Sequence, residues 1–305
     1  MPPPLEWMSG ARIRYSRAVI AFVKGHGLGN DYVVVRADDL PGGVLTPLGA
    51  RRLCDRHRGV GADGVLVHVA SARADAGVRI FNPDGSEAEK SGNGLRIFAK
   101  YLRDHGHVRR PVFRVETASG VVTCECHPAD GPVDVVTVEM GSATFDAAAI
   151  PMSGVAGEAV DVPLVLPGGE RLTVTAVSVG NPHCVLFRDA IDEAACRRLG
   201  PLVERHDAFP RRTNVQLARV DGRDGVDVLV WERGAGYTLA SGSSACAVAA
   251  AAVRTGRLAA GRVHVRMPGG ALAVDVRNDW SLRLEGPVAE AFTGTIEPTL
   301  LDEPA

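Results

Sequence analysis

Short β-branched runs, each bounded by Gly, Pro, Asp or Asn, recur through the whole chain and predict strands: Val33-Val34-Val35, Val65-Leu66-Val67, Val78-Arg79-Ile80-Phe81, Val112-Phe113-Arg114-Val115 and Val135-Val136-Thr137-Val138. Apolar positions at helical spacing predict helices over about 47–57, 93–104, 190–204 and 243–256. The second half repeats this grammar. Leu172-Thr173-Val174, Val179, Val185-Leu186-Phe187, Val215-Gln216-Leu217 and Val226 to Trp231 precede its last helix, and Val263 to Met267 and Leu272 to Val276 follow it. Ala247 to Ala252 is almost entirely Ala and Val, which predicts a helix buried on every side. Many strands with one long apolar helix per half predict an α+β fold of two pseudo-symmetric domains, each a curved sheet wrapped around a central helix.

The repeat extends to the polar turns. Ser91-Gly92-Asn93-Gly94 opens one apolar helix and Ser241-Gly242-Ser243-Ser244 opens another, each with Ser at or near the N-cap. Upstream, Gly29-Asn30-Asp31-Tyr32-Val33 is matched by Gly180-Asn181-Pro182-His183-Cys184-Val185. Asn30 precedes Ser91 by about 61 positions and Asn181 precedes Ser241 by about 60, a fixed offset that marks an internal repeat. The Gly/Ala/Pro-rich stretch near 141–157 then divides the chain. Residues 20–141, completed by a strand near 288–298, form one half and residues 142–287 the other. Residues 1–19 carry three prolines and several arginines but no apolar stretch before a cleavage site, so they read as a disordered extension and not a signal peptide.

Composition adds exclusions. The chain has 305 residues, 46% of them hydrophobic and 23% charged, which suffices for two ordinary cores. A net charge of −2 gives no basic excess for nucleic acid, and no run approaches the ~20 apolar residues of a membrane span. The six cysteines lack framework spacing, so a reducing cytoplasm is expected. In Cys124-Glu125-Cys126 the thiols share one strand face, which reads first as two buried small residues and second as a metal clip.

Three segments carry candidate chemistry. Asn82-Pro83-Asp84-Gly85-Ser86-Glu87-Ala88-Glu89 reads on its own as a tight turn, with acids near a helix start that complement its dipole. Free N–H groups at Gly92-Asn93 and Gly242-Ser243 suit a carboxylate or phosphate. Arg233 suits bidentate capture of a carboxylate and Glu232 an ammonium, with an exposed salt bridge as the plainer reading of the pair.

Taken together, Lys24 to Tyr32, Gly59 to Gly64, Asn82 to Arg96, Gly180 to His183, Arg212 to Val215 and Glu232 to Gly242 resemble the diaminopimelate epimerase family, in order, over roughly residues 22–295. The resemblance implies two α/β domains facing each other across a cleft, no cofactor, no metal, and inversion of an amino-acid α-carbon, LL- to meso-diaminopimelate being the first substrate expected. It implies a small amino-acid partner, a cytoplasmic location and a homodimer. It further implies that Asn30, Asn82, Asn181 and Asn214 bind the distal amino-acid end or the reacting carboxylate and amine, and that Glu232 and Arg233 grip the α-amino and α-carboxylate groups. By the same resemblance Gly92, Asn93, Gly242 and Ser243 supply helix-end donors, and His183 stands beside one catalytic position.

The chain departs from the family at its centre. The two catalytic cysteines of the family pattern are Ser91 and Ser241 here, and Tyr237 stands where Gly-Ala-Gly is normally followed by Glu. An alcohol ionises roughly 7 pH units higher than a thiol, so a free alkoxide costs on the order of 10 kcal/mol more than a thiolate. Two helix dipoles at about 0.3–2 kcal/mol each do not recover that. Ser91 and Ser241 are therefore expected at the acid/base positions with help from His183, Tyr237 or an ordered water, and Glu232 is counted with Ser91, Ser241 and His183 among the catalytic residues. The alternatives are an isomerase of the same fold acting on a more acidic C–H, and an amino-acid-binding protein without catalysis.

Overall fold

The computed structural model describes residues 19–302, so the extension expected over 1–19 lies outside the described residues apart from Val19. The first half runs β1 (Ile20–Gly27), β2 (Asn30–Arg36), α1 (Pro47–Cys54), β3 (Val65–Val69), β4 (Ala76–Phe81), β5 (Glu87–Ala88), α2 (Gly92–Asp104), β6 (Val112–Thr117), β7 (Gly120–His127) and β8 (Val135–Ser142). After β9 (Val162–Val165) come β10 (Arg171–Ser178), β11 (Pro182–Phe187), α3 (Glu193–Glu204), β12 (Asn214–Asp221), β13 (Gly225–Glu232), β14 (Gly236–Thr238), α4 (Gly242–Arg254), β15 (Gly261–Met267), β16 (Gly270–Val276) and β17 (Ser281–Pro287). A last strand, β18 (Ala289–Ile296), pairs antiparallel with β1.

The pairing scheme shows the repeat more plainly than the sequence does. β1–β2 is antiparallel, β2–β3 parallel, β3–β4 antiparallel, β4–β6 parallel, and β6–β7–β8 antiparallel. The series β10–β11, β11–β12, β12–β13, β13–β15 and β15–β16–β17 has the same senses in the same order. The halves are therefore pseudo-symmetric, and they join where β8 meets β17 antiparallel, Val138 opposite Leu284.

Each half wraps its sheet on one helix because that helix offers water almost nothing. In α4 every residue from Ser244 to Ala252 is buried, as its Ala/Val run predicted, and in α2 Leu95, Phe98, Ala99 and Leu102 are wholly enclosed. Both helices belong to one apolar core with Val136 and Val138 of β8 and Leu282 and Leu284 of β17. Separate clusters form under α1 and α3, through Leu53 and through Leu199 and Val203. Cys124 and Cys126 both lie within the main core, and all six cysteines are free and buried. No described helix is long and apolar enough to cross a membrane.

Candidate functional site

The two central helices start against each other. A methyl added to Gly92 would sit 3.6 Å from the Gly242 Cα and 3.0 Å from Leu284 Cδ2, and one on Gly242 would sit 3.5 Å from the Gly92 Cα and 2.9 Å from the same Leu284 atom. At both positions a side chain would crowd Leu284 Cδ2, and the two glycines let the helix starts approach each other closely. Ser91 and Ser241 flank this contact as the N-caps of α2 and α4, both extended in backbone.

The two hydroxyls are not equivalent. Ser91 Oγ accepts from Gly94 N at 3.0 Å and lies 3.1 Å from the Tyr32 hydroxyl. Burial, with the charges of Glu232 and Asp63 nearby, pushes Tyr32 up to about 12 against the contrary pull of Ser91. Ser241 caps nothing with its side chain; its Oγ lies 3.5 Å from Ser243 Oγ, and the residue is 4% exposed. Burial raises the Glu232 carboxyl above its ordinary range, the charge of Asp63 adds to this, and hydrogen bonding with Ser241 offsets part of it. Tyr32 and Asp63 of the first half thus share an electrostatic environment with Glu232 of the second.

On the first-half side a chain of amides leads away from the helix end. Asn93 Nδ2 donates to Asn30 Oδ1 at 3.1 Å and Asn30 Nδ2 to Asp63 Oδ2 at 3.0 Å. Arg56 bridges Asp63 and Asp31, and Lys24 pairs with Asp31 at 2.9 Å. Asn30 reaches this chain because the β1–β2 turn is two residues long, with Leu28 at φ 57° and Gly29 at φ 86°. Asn82 sits in its own turn, where its amide donates to Ser86 Oγ at 2.9 Å, and it does not join the chain.

On the second-half side His183 is fully buried, and burial together with the charge of Arg233 lowers it to about 3. The ring is neutral. Gln216 Nε2 donates to His183 Nδ1 at 3.0 Å and to Ser244 Oγ at 2.9 Å, so His183 Nε2–H donates to Asn181 Oδ1 at 2.9 Å. Both ring nitrogens are spent, one on Gln216 and one on Asn181. Asn214 donates to Pro182 O and accepts from Arg233 N, each at 2.9 Å, which ties Arg233 to the start of β11. Glu204 closes the turn from behind, accepting from Gly234 N at 3.1 Å and from Trp231 Nε1 at 2.8 Å.

Tyr237 is not brought to this place. Opposite Trp231 in the β13–β14 ladder it faces α3, with the Arg197 guanidinium 4.6 Å over its ring. The expected auxiliary role is corrected on that ground. Cys246, five residues past Ser241, is enclosed in the core, and burial pushes its thiol up to about 12. A depression of about 570 Å³ lined by Phe187, Arg219 and Arg257 shares none of the site residues. Among the described residues no group of three His, Cys, Asp or Glu side chains could hold a metal. Tyr32, Asp63, Gln216 and Glu204 were missed by sequence reasoning. Tyr32 and Asp63 lie inside the recognised motifs but have nothing in their spacing that assigns them a partner.

The family model described as diaminopimelate epimerase matches residues 22–146 and 175–289. The diaminopimelate epimerase of Desulforudis audaxviator is 48% identical over 280 residues, covering 90% of this chain and 98% of that protein. Diaminopimelate epimerase 2 of Nostoc sp. is 43% identical over 276 residues, covering 90% and 95%. A hydroxyproline epimerase from Agrobacterium vitis, solved with bound trans-4-hydroxy-L-proline, superposes with a TM-score of 0.68 at 18% identity over 92% of this chain and 91% of that one. A methylitaconate-delta-isomerase structure gives 0.66 at 13% identity over 95% and 98%. These last two likenesses concern the fold.

Proposed function

The chain belongs to the diaminopimelate epimerase family, and we propose that it inverts the α-carbon of diaminopimelate without a cofactor, moving the proton through Ser91 and Ser241. The observation that carries this reading is the meeting of two helix N-termini at Gly92 and Gly242, each with a hydroxyl at its cap. A planar carbanion held at that meeting point has one hydroxyl over each face, and the converging N–H groups favour its negative charge. The α-carboxylate goes to the helix ends and Arg233, the α-ammonium to Glu232, and the distal amino-acid end to Asn30, Asn82, Asn93, Asn181 and Asn214.

A free alkoxide is too costly, so each serine works as a relay. Ser241 Oγ takes the α-proton as its own proton passes to the Glu232 carboxylate. Ser91 gives its proton to the opposite face of the carbon and is reprotonated by Tyr32, which stands protonated at neutral pH before the reaction. Glu232 then returns its proton, and Tyr32 regains one, through solvent. His183 serves by orienting Asn181. The same reading takes the halves 20–141 and 142–287 as the two jaws of the cleft, in a cytoplasmic homodimer whose mass sedimentation would measure.

Incubation with LL- and meso-diaminopimelate in D2O, followed by NMR and chiral analysis, tests the proposal. Deuterium should enter the α-position with inversion, at a rate that rises with pH through a carboxylate pKa above the ordinary glutamate range. Glu232→Gln should remove that dependence and most of the exchange, on the order of 10²–10⁴-fold. Ser91→Cys/Ser241→Cys should exceed the parent by on the order of 10³-fold. Binding of diaminopimelate with no exchange above buffer would defeat the catalytic reading and leave an amino-acid-binding protein.

A further inference from the structure

Arg96 is fully buried on α2, three residues past Asn93. Its NH2 donates to Asn93 Oδ1 at 2.7 Å, its NH1 makes a long 3.4 Å contact with Gly92 O, and its Nε has no partner. Among the described residues no carboxylate pairs with it, and burial lowers it to about 10, so it stays charged near neutral pH. A cation within two turns of a helix N-terminus has the wrong sign for the dipole, and an unpaired buried charge is costly. The fold nonetheless makes room for it. A methyl on Gly27 of β1 would lie 2.9 Å from Arg96 NH2, and one on Gly286 of β17 would lie 3.3 Å from its Nε. At Gly27 the guanidinium is what a side chain would meet first; at Gly286 Leu272 Cδ2, at 2.2 Å, excludes a side chain before Arg96 does.

What this arrangement accomplishes follows from donor and acceptor counting. A guanidinium only donates and a carboxylate only accepts. Between Arg96 and Asp63 stand two amides, Asn93 and Asn30, each able to face either way on its own. With Arg96 donating at one end and Asp63 accepting at the other, only one sense satisfies every link: Asn93 turns its oxygen to Arg96 and its NH2 to Asn30, and Asn30 turns its oxygen to Asn93 and its NH2 to Asp63. Flipping either amide sets donor against donor or acceptor against acceptor.

We infer that Arg96 is a positioning residue: with Asp63 setting the sense of the chain from one end, Arg96 anchors Asn93 Oδ1 at the other, and so holds in place the Asn93 and Asn30 amides that the first helix end presents to the substrate. The substrate half of this inference rests on the epimerase reading above; the amide half does not.

The test compares Arg96→Met, which keeps length and removes the donors, with Arg96→Lys, which keeps a charged donor. The readouts are the side-chain NH2 signals of Asn30 and Asn93 by NMR without ligand, diaminopimelate affinity by calorimetry, and unfolding in urea. Arg96→Met should shift the Asn93 NH2 signals and lower their exchange protection, with a smaller change at Asn30, which Asp63 still anchors, and should weaken affinity about 30-fold, while Arg96→Lys restores affinity to within about 5-fold of the parent. Unchanged amide signals and affinity in Arg96→Met, or a loss of stability alone, would overturn the inference. If Arg96→Met does not fold, Gly27→Ala pushes the guanidinium aside with the rest of the chain intact. The same amide signals should then change, and their persistence counts against Arg96. Failure of the parent protein to bind diaminopimelate defeats the substrate reading alone, and the ligand-free amide signals still decide the role of Arg96.

Discussion

At Gly242 a single methyl is enough to crowd the place where the two arms of the site meet. The added carbon meets Leu284 Cδ2 at 2.9 Å and touches the Gly92 Cα at 3.5 Å, so the fully enclosed Leu284 side chain has to shift to admit it. Gly242→Ala is expected to cost about 1–3 kcal/mol in urea unfolding, the usual penalty for overpacking. It should weaken diaminopimelate binding at least tenfold, more than an ordinary surface change would. Unaltered calorimetric affinity would show that the helix ends do not need their contact. The serines, the glycines and the asparagines of this region were legible as ordered motifs, because cap and turn chemistry leaves a local signature. The facing of Tyr237 and the partner of Tyr32 were not, because both depend on strand register. Tyr237 belongs to a three-residue strand whose pairing opposite Trp231 turns it to α3, and no local rule supplies that pairing.

Helices were read to within a few residues, and the misses have local causes. The helix expected to run to 57 stops at Cys54, because the Asp55 side chain accepts from His57 N at 2.8 Å and Arg58 N at 2.9 Å, offering the backbone a turn instead. Val179, read as strand, falls in the bend after β10 that delivers Asn181, with Gly180 at φ 105°. β5 and β14 are too short to show a period. At the far end of α2, His68 and His107 pack around Tyr101, ring centroids 5.8 and 4.9 Å away. Burial lowers His68 to about 4, with His107 and Arg36 adding to the effect and Asp38 opposing it. A histidine whose folded pKa lies below its unfolded ~6.5 supports the fold above about pH 6.5, and that support is lost as pH falls toward 4. Allowing for its partial exposure, the loss is on the order of 1–2 kcal/mol. His183 contributes with the same sign, so the comparison that isolates α2 is the parent against His68→Phe. Urea unfolding at pH 7 and pH 5 should show the smaller decline in His68→Phe, and equal declines would remove His68 from the account.

A duplicated chain could behave as two units that happen to be linked, yet its packing argues for one. The pairing order repeats between the halves, but the apolar core does not divide with it, since α2, α4, β8 and β17 share one cluster. The sequence offset disclosed the duplication; it could not disclose the seam, because contact between β8 and β17 is a matter of long-range pairing. Leu284 lies on that seam, fully enclosed, opposite Val138 in the ladder and against both Gly92 and Gly242. It therefore supports the union of the halves and the closeness of the helix ends at once. Unfolding in urea should be a single transition, with the fluorescence of Trp231 and Trp280 in the second half, read in a Trp7→Phe background, coinciding with far-UV dichroism from both. Leu284→Ala should lower the stability of that transition by about 2–5 kcal/mol, as large-to-small changes in enclosed positions do. Because the cavity opens beneath both helix starts, diaminopimelate affinity should fall with it even at temperatures where the protein is fully folded. Two separated transitions in the parent, or a Leu284→Ala protein that loses stability and keeps its affinity, would mean that the seam joins the halves without setting the site.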